Sequence, residues 1–373
     1  VSEPLMIMAP LLHSPFSLLV TLLIVSPCTM SLTQQGVASG TSHDPAMLDR
    51  FHQWMSMSGR VYPSAAEKLH RFEVYRRNVD LIDASNRDAD RLGYELGENE
   101  FTDLTNEEFM ARYAGGVYGG PGVGGDLITT LAGDVTEGMV STDGNFTTTS
   151  DPPQQFDWRD HGAVTPAKQQ GGCACCWAFS AAATVESLNK IKGGELVDLS
   201  VQELVDCISS DPFRSPCSTG SPDSALNWIK SKGGLVTAAE YPYVAKRGKC
   251  TTADGARRRI GKVTDVRSVK LRSESALAVA VLQNPVAVQI DANGEVLQSY
   301  KSGVYKGPCG TNLNHVVTVV GYGVTGAGEE YWIVKNSWGQ EWGQNGFFFM
   351  RKGADGRDGL CGIAMFGVYP VME

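Results

Sequence analysis

The segment QQGGCACCWAFS, residues 169–180, places three cysteines within four positions and then continues as an apolar sequence with the character of a helix. A thiol becomes a strong nucleophile when it is held as a thiolate, and a helix N-terminus and a nearby imidazolium both favour that form. Because the helix is predicted to begin within CACCWAF, one of these cysteines is expected at its positive end. The segment predicts a cysteine nucleophile, and the residues alone leave open which of the three it is.

A nucleophilic cysteine needs a histidine partner that is close in space. Four of the six histidines lie before residue 150, outside the part of the chain that contains the cysteine cluster. The remaining candidates are His161 and His315. His315 stands at the start of the strand-like run LNHVVTVVGYG, and 21 residues later VKNSWG supplies Asn336. An asparagine carboxamide can orient an imidazole as the third member of a catalytic triad. The pattern therefore predicts nucleophilic catalysis by cysteine, histidine and asparagine.

Charge divides the 373-residue chain into two parts. Residues 1–150 carry 9 basic and 19 acidic side chains, a net charge of −10, whereas residues 151–373 carry 23 and 22, a net charge of +1. This asymmetry indicates two parts with different roles, one of them acidic. The chain has no basic stripe, and its acidic excess argues against nucleic-acid binding. Its length and its 42% hydrophobic content suffice for one large or two smaller packed domains.

The run FSLLVTLLIV, residues 16–25, is too short to span a bilayer and has the length of a signal-peptide core. We therefore expect a signal region over residues 1–39 and no membrane span; a buried strand or helix is the alternative. Of nine cysteines, Cys28 lies within that region and the other eight follow residue 172. A secretory route would allow those eight to oxidise.

Helical patterns fill most of residues 40–113. The run SAAEKLHRFEVYRRNVDLIDASN is amphipathic and opens with Ser64 followed by Glu67, the spacing of a capping box. Residues 114–150 are rich in glycine, threonine and serine, which predicts a flexible linker, and they contain the glycosylation sequon at Asn145. From residue 151 the chain is predicted to be helical first and then mainly strand-like.

Together these motifs resemble a papain-like cysteine endopeptidase, most closely the plant members of that family. QGGCACCWAFS, LNHVVTVVGYG and KNSWGQEWG are similar to its cysteine, histidine and asparagine segments, and GENEFTD, residues 97–103, to its second pro-region motif. The spaced pro-helix pattern of the family is also present, with tyrosine where phenylalanine is usual at position 75, in Glu67, Arg71, Val74, Tyr75, Asn78, Ile82 and Asn86.

The resemblance implies an α+β fold: a papain-like two-domain structure with a helical left domain and an antiparallel, β-barrel-like right domain, preceded by a helical inhibitory pro-domain. Residues 40–113 would be the pro-domain and residues 151–373 the mature peptidase. Cys176 would be the nucleophile, His315 the acid and base, and Asn336 its orienting partner. Gln170 and the backbone N–H of Cys176 would form the oxyanion hole. Trp338 would shield the bond between histidine and asparagine from water.

The resemblance also pairs six cysteines as Cys173–Cys217, Cys207–Cys250 and Cys309–Cys361, which sequence spacing alone cannot decide. Cys175 is then left beside the nucleophile. We expect it to be a spare thiol that points away from the site, with a redox switch as the alternative.

Several positions depart from the family pattern. Ala174 replaces a usual glycine, and its side chain was expected to strain the loop that shapes the oxyanion hole. Gly220 is kept where substrate backbone should pair, although Thr219 before it is unusual, and Gln289 stands where a small residue is common. The residues that fall at substrate-binding positions are Gly220, Ser221, Pro222, Gln289, Leu313, Asn314, Val316, Trp338 and Phe366. The apolar character of most of them predicts a bulky apolar or aromatic substrate residue beside the scissile position.

The function expected from the resemblance is an acid-activated zymogen of an endopeptidase that needs no cofactor or metal. Its expected partners are protein and peptide substrates, its own pro-domain and cystatin-type inhibitors, and it is expected to be a monomer in a vacuolar or lysosome-like compartment or outside the cell. A non-catalytic binding or storage relative is the alternative. The glycine pattern GYGVTG, residues 321–326, precedes a strand and not a helix, so it does not predict a dinucleotide site.

Overall fold

The computed structural model describes residues 44–114, 116–117, 152–208, 217, 219–251, 258–354 and 356–373. The predicted signal region, the sequon at Asn145 and residues 118–150 of the predicted linker lie outside the described residues. Within the described ranges, the helices are all too short or too polar to cross a membrane.

The acidic first part is mainly helical, as predicted. Its elements are α1 (Pro45–Met57), α2 (Ala65–Asn86), α3 (Ala89–Leu92), β1 (Tyr94–Leu96), α4 (Asn106–Tyr113) and β2 (Gly116–Val117). The hydroxyl of Ser64 caps α2 by accepting from the Glu67 N–H at 3.1 Å. At α4, Thr105 and Glu108 form a complete capping box, in which each side chain bonds the backbone N–H of the other.

Aromatic side chains join α1 to α2. The ring of Phe51 lies 5.3 Å from that of Phe72 and 5.0 Å from that of Tyr75, and the three side chains are buried. The hydroxyl of Tyr75 donates to Glu98 at 2.5 Å, and Glu98 also accepts from Arg50 at 2.7 Å. The tyrosine that departs from the family pattern therefore has a polar partner for its additional hydroxyl.

The second part begins with a helical layer. Its elements are β3 (Phe156–Asp157), α5 (Cys176–Ile191), α6 (Val201–Cys207), β4 (Thr219–Gly220) and α7 (Pro222–Lys232). The apolar run that follows the cysteine cluster is α5, which is buried over most of its length and packs against α6 and α7. Its burial on several sides explains why the sequence is almost continuously apolar.

A sheet forms the remainder of the second part. The elements are β5 (Asp265–Ser268), α8 (Glu274–Gln283), β6 (Val286–Ile290), α9 (Glu295–Gln298), β7 (Tyr300–Tyr305), β8 (His315–Val324), β9 (Glu330–Lys335), β10 (Phe347–Arg351) and β11 (Gly367–Val371). The strand order is β1-β7-β10-β9-β8-β6-β11-β5, and β3 pairs with β8. The pairing is antiparallel as expected, except between β7 and β10, which run parallel.

Two contacts fix the layers and the pro-region to one another. The hydroxyl of Ser180 on α5 donates to the Val317 carbonyl on β8 at 3.0 Å, which joins the helical layer to the sheet. Strand β1 of the acidic part pairs antiparallel with β7 and so extends the sheet of the second part by one strand. Gly303 allows this approach, because a Cβ at that position would lie 2.4 Å from the Gly93 carbonyl oxygen.

Three disulfides close loops of the second part. They join the pairs implied by the resemblance, Cys173–Cys217, Cys207–Cys250 and Cys309–Cys361. Among the described cysteines, Cys175 and Cys176 are outside these bridges and both are buried.

Candidate active site

Cys176 is the first residue of α5 and is buried beneath neighbouring side chains. The disulfide of Cys173 and a bond from the Ala174 N–H to the Cys217 carbonyl, at 3.0 Å, hold the chain just before it. The backbone N–H of Val316 lies 3.4 Å from its sulfur. A sulfur at a helix N-terminus that also faces an N–H donor is in surroundings that favour the thiolate.

The strain expected at Ala174 is absent. Ala174 does not adopt a positive φ, and the left-handed backbone in this loop occurs instead at Gly171, where φ is 58°. Ala174 is 4% exposed and its N–H is hydrogen-bonded. The methyl group is accommodated because the position that needs glycine lies three residues earlier.

His315 begins β8 and is completely buried. Its Nε2 lies 2.8 Å from Oδ1 of Asn336, and its ring stacks on Trp338 with a centroid distance of 4.7 Å. Burial lowers the pKa of His315 to about 4, against the opposing effect of the bond to Asn336. The other ring nitrogen, Nδ1, has no hydrogen-bond partner within the described residues.

The loop after β9 holds the histidine's partner in place. The N–H of Asn336 donates to the Gly346 carbonyl at 3.0 Å, and its Oδ1 also accepts from the Ser337 N–H at 2.8 Å. Trp338 is fully buried and covers the ring of His315. The carboxamide is therefore fixed from two sides, which fixes the imidazole plane.

Gln170 lies between this loop and the cysteine segment. Its Oε1 accepts from the Ser337 hydroxyl at 2.6 Å and its backbone N–H donates to the Ser337 carbonyl at 2.8 Å. Its Nε2 donates to the carbonyls of Cys173 and Tyr113, at 3.2 and 3.1 Å. The bracing role of Ser337 was not predicted, although it is adjacent to Asn336 in the KNSWG motif.

The acidic part covers the site with the end of α4. The Tyr113 carbonyl accepts from both Gln170 and the Trp338 indole, the latter at 3.3 Å. The ring of Phe109 meets that of Trp338 edge-on at 4.8 Å. Sequence reasoning missed Tyr113 because a backbone carbonyl carries no side-chain signature.

Beyond α4, the chain runs along the helical layer. Gly116 and Val117 of β2 pair in parallel with Thr219 and Gly220 of β4. Gly220 lies flat against the indole of Trp177, since a Cβ at this position would come within 2.2 Å of that ring. The backbone expected to pair with substrate is thus occupied by the chain's own acidic part.

The other predicted substrate-binding residues are distributed over both layers. Ser221 and Pro222 open α7 and are buried, whereas Gln289 and Val316 lie opposite one another on β6 and β8. Phe366 packs on the apolar cluster that contains Cys176.

Leu313 and Asn314 precede β8 and are partly buried. The carboxamide of Asn314 accepts from the Ala292 N–H at 2.8 Å, so that side chain braces a turn of the sheet.

Cys175 lies beside a tyrosine of the helical layer. Its thiol lies 3.0 Å from the hydroxyl of Tyr243, and burial raises its pKa to about 12. The other candidate histidine, His161, is exposed and stacks on Phe156 with a centroid distance of 5.2 Å. In the described part of the chain, histidine, cysteine and acidic side chains form no group of three suited to a metal ion.

Two family models match the chain. Residues 152–371 match the papain family cysteine protease model, and residues 51–109 match the cathepsin propeptide inhibitor domain. Fruit bromelain of Ananas comosus is 38% identical over 346 residues, which cover 93% of this chain and 92% of that protein. Ananain of the same plant is 40% identical over 347 residues, 93% and 94% of the two chains.

Solved structures agree with these matches. A recombinant stem bromelain precursor is 41% identical and superposes with a TM-score of 0.76, covering 88% of this chain and 99% of that one. The bromelain protease of Ananas comosus in complex with an inhibitor is 45% identical, with a TM-score of 0.56 over 59% of this chain and 100% of that chain. The described fold and both sequence parts therefore have counterparts among known enzymes.

Proposed function

The chain belongs to the papain family of cysteine proteases and carries that family's propeptide inhibitor domain, and on this premise we propose that Cys176, His315 and Asn336 hydrolyse peptide bonds. The observation that carries the proposal is the contact of strand β8 with the first residue of helix α5. The strand that begins with His315, bonded to Asn336 at 2.8 Å, places its next backbone N–H against the sulfur of Cys176. Nucleophile, base and orienting group thus converge from α5, β8 and the loop after β9.

The reaction follows from this placement. In the open enzyme, the proton of the Cys176 thiol passes to Nδ1 of His315, and the thiolate attacks the carbonyl carbon of the scissile bond. His315 then donates that proton to the leaving amine, and the C–N bond breaks to leave a thioester on Cys176. Water that loses a proton to His315 attacks the thioester, and the proton returns to the sulfur as the acid product leaves.

Charge that develops on the substrate oxygen needs preorganised donors. Nε2 of Gln170 and the backbone N–H of Cys176 are the donors we assign to it. The two bonds between Gln170 and Ser337 keep this side chain in position. In the closed chain, the Tyr113 carbonyl accepts from the same Nε2 and thereby takes the place of the substrate oxygen.

The acidic part acts as the inhibitor, with residues 40–113 as the pro-domain and residues 114–150 as the linker lost on maturation to a peptidase of residues 151–373. Acid releases it, because several of its carboxylates are bonded to arginine. Arg71 donates to Glu108 at 2.6 Å and Arg50 to Asp83 at 2.8 Å. The bond to Arg71 lowers the pKa of Glu108 to about 2, so this ion pair stabilises the closed form less and less as the pH falls below about 4.5, where an unpaired carboxyl takes up a proton.

Substrates are proteins and peptides with a bulky apolar or aromatic residue next to the scissile position, which the side chains of Val316 and Phe366 would contact. We further propose a monomer that cystatin-type inhibitors bind and that passes through the secretory pathway to a vacuolar, lysosome-like or extracellular destination. The three disulfides and the apolar run at residues 16–25 support that route.

Turnover of fluorogenic dipeptide substrates, measured before and after incubation at about pH 4–5, tests the function. We expect little turnover before acid treatment, and full turnover together with a new N-terminus near residue 151 after it. A chain that is processed and still fails to cleave any dipeptide would be the binding or storage relative instead. A chain that acid does not shorten would contradict the proposed activation.

A further inference from the structure

The carboxamide of Gln289 is buried without a partner. The residue is 0% exposed, and neither its Oε1 nor its Nε2 has a hydrogen bond within the described residues. Other buried carboxamides have at least one group bonded: Asn284 donates to two carbonyls although its Oδ1 is unmet, and Gln298 donates to the carbonyls of Phe101 and Leu104. An unmet buried donor or acceptor destabilises a folded protein, so an amide with both groups unmet needs an explanation.

The register of the sheet places this amide beside the nucleophile. Gln289 lies on β6 directly opposite Val316 of β8, and Val288 lies opposite Gly367 of β11. Strand β6 lies between β8 and β11. If the pairing of Val288 with Gly367 is continued by one residue, Phe366 becomes the neighbour of Gln289 on the side opposite Val316. Residues opposite one another share a face of the sheet. Gln289 is therefore flanked by Val316 and Phe366 on the face turned toward α5.

The cross-strand neighbour of Gln289, Val316, contacts the sulfur of Cys176. The N–H of Val316 lies 3.4 Å from the sulfur of Cys176, and adjacent strands are about 4.8 Å apart. Both Val316 and Phe366 pack in the apolar cluster that contains Cys176 and Trp177. The surroundings of Gln289 thus offer apolar walls and no polar partner within the described residues.

We propose that Gln289 selects substrates whose second residue before the scissile bond is bulky and carries a hydrogen-bonding group at its end, as tyrosine does. This inference rests on the proposed function. The ring of such a residue contacts Val316 and Phe366, and its hydroxyl bonds the carboxamide. Phenylalanine fills the same space and leaves the amide unmet, so it is the poorer substrate.

Two dipeptide substrates that differ in one hydroxyl test this directly. The acid-activated enzyme is assayed with tyrosine and with phenylalanine as the second residue before the bond, and the ratio of their kcat/KM values is recorded. We expect a ratio of about 10 in favour of tyrosine for the natural chain. Gln289→Met keeps the length and removes both hydrogen-bonding atoms, and it should bring the ratio to about 1.

Two further variants complete the experiment. Gln289→Glu keeps an acceptor for the hydroxyl and should retain most of the preference for tyrosine. Gln283→Met makes the same change at an exposed position at the end of α8, and the ratio should stay at that of the natural chain. Titration with an epoxide-type thiol inhibitor gives the concentration of active enzyme for each variant.

Equal kcat/KM values for the two substrates in the natural chain would overturn the inference without any variant. A ratio that Gln289→Met leaves unchanged would overturn it as well. Both results would leave the proposed function intact, since both require turnover. No turnover of either substrate after processing would instead contradict the proposed function and this inference with it.

Discussion

At the scale of single residues, two adjacent thiols have opposite surroundings. Cys175 lies against the Tyr243 hydroxyl, and burial raises the pKa of its thiol to about 12, which makes a thiolate there rare. Cys176 stands at the start of α5 against the N–H of Val316. The surroundings of the two thiols differ because Cys175 precedes helix α5 and its side chain points into the helical layer, whereas Cys176 is the first residue of the helix.

Gln170 gives a prediction at the same scale. Gln170→Ala removes one of two proposed oxyanion donors and should lower kcat by about 100-fold to 1,000-fold, with a much smaller change in KM. Steady-state kinetics on the activated enzyme measure both constants. Gln340→Ala is the matched control, because Gln340 is exposed on the same loop as Asn336, and its kcat should stay within about two-fold. A similar fall in kcat for both variants would contradict the assigned role.

At the scale of elements, the pro-region helices depend on a charged contact between α2 and α4. Arg71 donates to both carboxylate oxygens of Glu108, at 2.6 and 2.8 Å, and these bonds lower the pKa of Glu108 to about 2. A lowered carboxyl pKa stabilises the folded pro-region above about pH 4.5, and this stabilisation is lost as the pH falls from there toward 2. Solvent screening limits the contribution to about 1 kcal/mol.

Glu108→Gln should therefore raise the pH at which the zymogen converts, by about half a unit or more, because the helix contact is already weakened at neutral pH. The measurement is the pH at which half of the chain is processed in a fixed time. Glu107→Gln is the control, since Glu107 is the exposed neighbour in the same first turn. Equal conversion profiles for the two variants would show that the contact with Arg71 is unimportant.

Elements with strong local signals were predictable from sequence. Helix α5 coincides with an apolar run that ends shortly before paired glycines. Helices α2 and α4 each begin directly after a capping residue, Ser64 and Thr105. Helix α8 was not predicted, because its sequence ESALAVAVLQ is apolar almost throughout and lacks a polar stripe. Periodicity cannot separate such a segment from a buried strand.

Contacts made by the backbone were not predictable. Strand β1 pairs with β7 across more than two hundred residues, and β7 runs parallel to β10; backbone groups make both pairings, and no side-chain motif marks them. The Tyr113 carbonyl over Gln170 is of the same kind. For the candidate site, sequence motifs supplied the residue types, whereas the stacking of Trp338, the bracing by Ser337 and the unpartnered amide of Gln289 required the fold.

At the scale of the whole molecule, we expect closure of the pro-region to be coupled to the protonation of His315. Burial lowers the pKa of His315 to about 4 in the closed chain, and Phe109 and Tyr113 supply part of the cover through Trp338. An exposed histidine has a pKa of about 6.5. Because the closed form binds the proton more weakly than an exposed imidazole does, its stability is full above about pH 6.5 and declines as the pH falls from there toward 4.

Nuclear magnetic resonance titration of the Cys176→Ala chain, which cannot process itself, measures this coupling. The ring protons of His315, assigned by comparison with a His315→Gln variant, should titrate near pH 4 in the closed chain. The ordinary histidine pKa of about 6.5 is the reference value for that midpoint. A His315 midpoint at or above about 6.5 would contradict a role for this histidine in the acid response.

Covalent labelling of the acid-activated enzyme with an epoxide-type thiol inhibitor, followed by mass spectrometry of the peptide that contains residues 169–180, tests the assignment of the nucleophile most directly. We predict one label per chain, carried by Cys176, with full loss of labelling in Cys176→Ala and unchanged labelling in Cys175→Ser. Labelling confined to Cys175, or retained in Cys176→Ala, would contradict it.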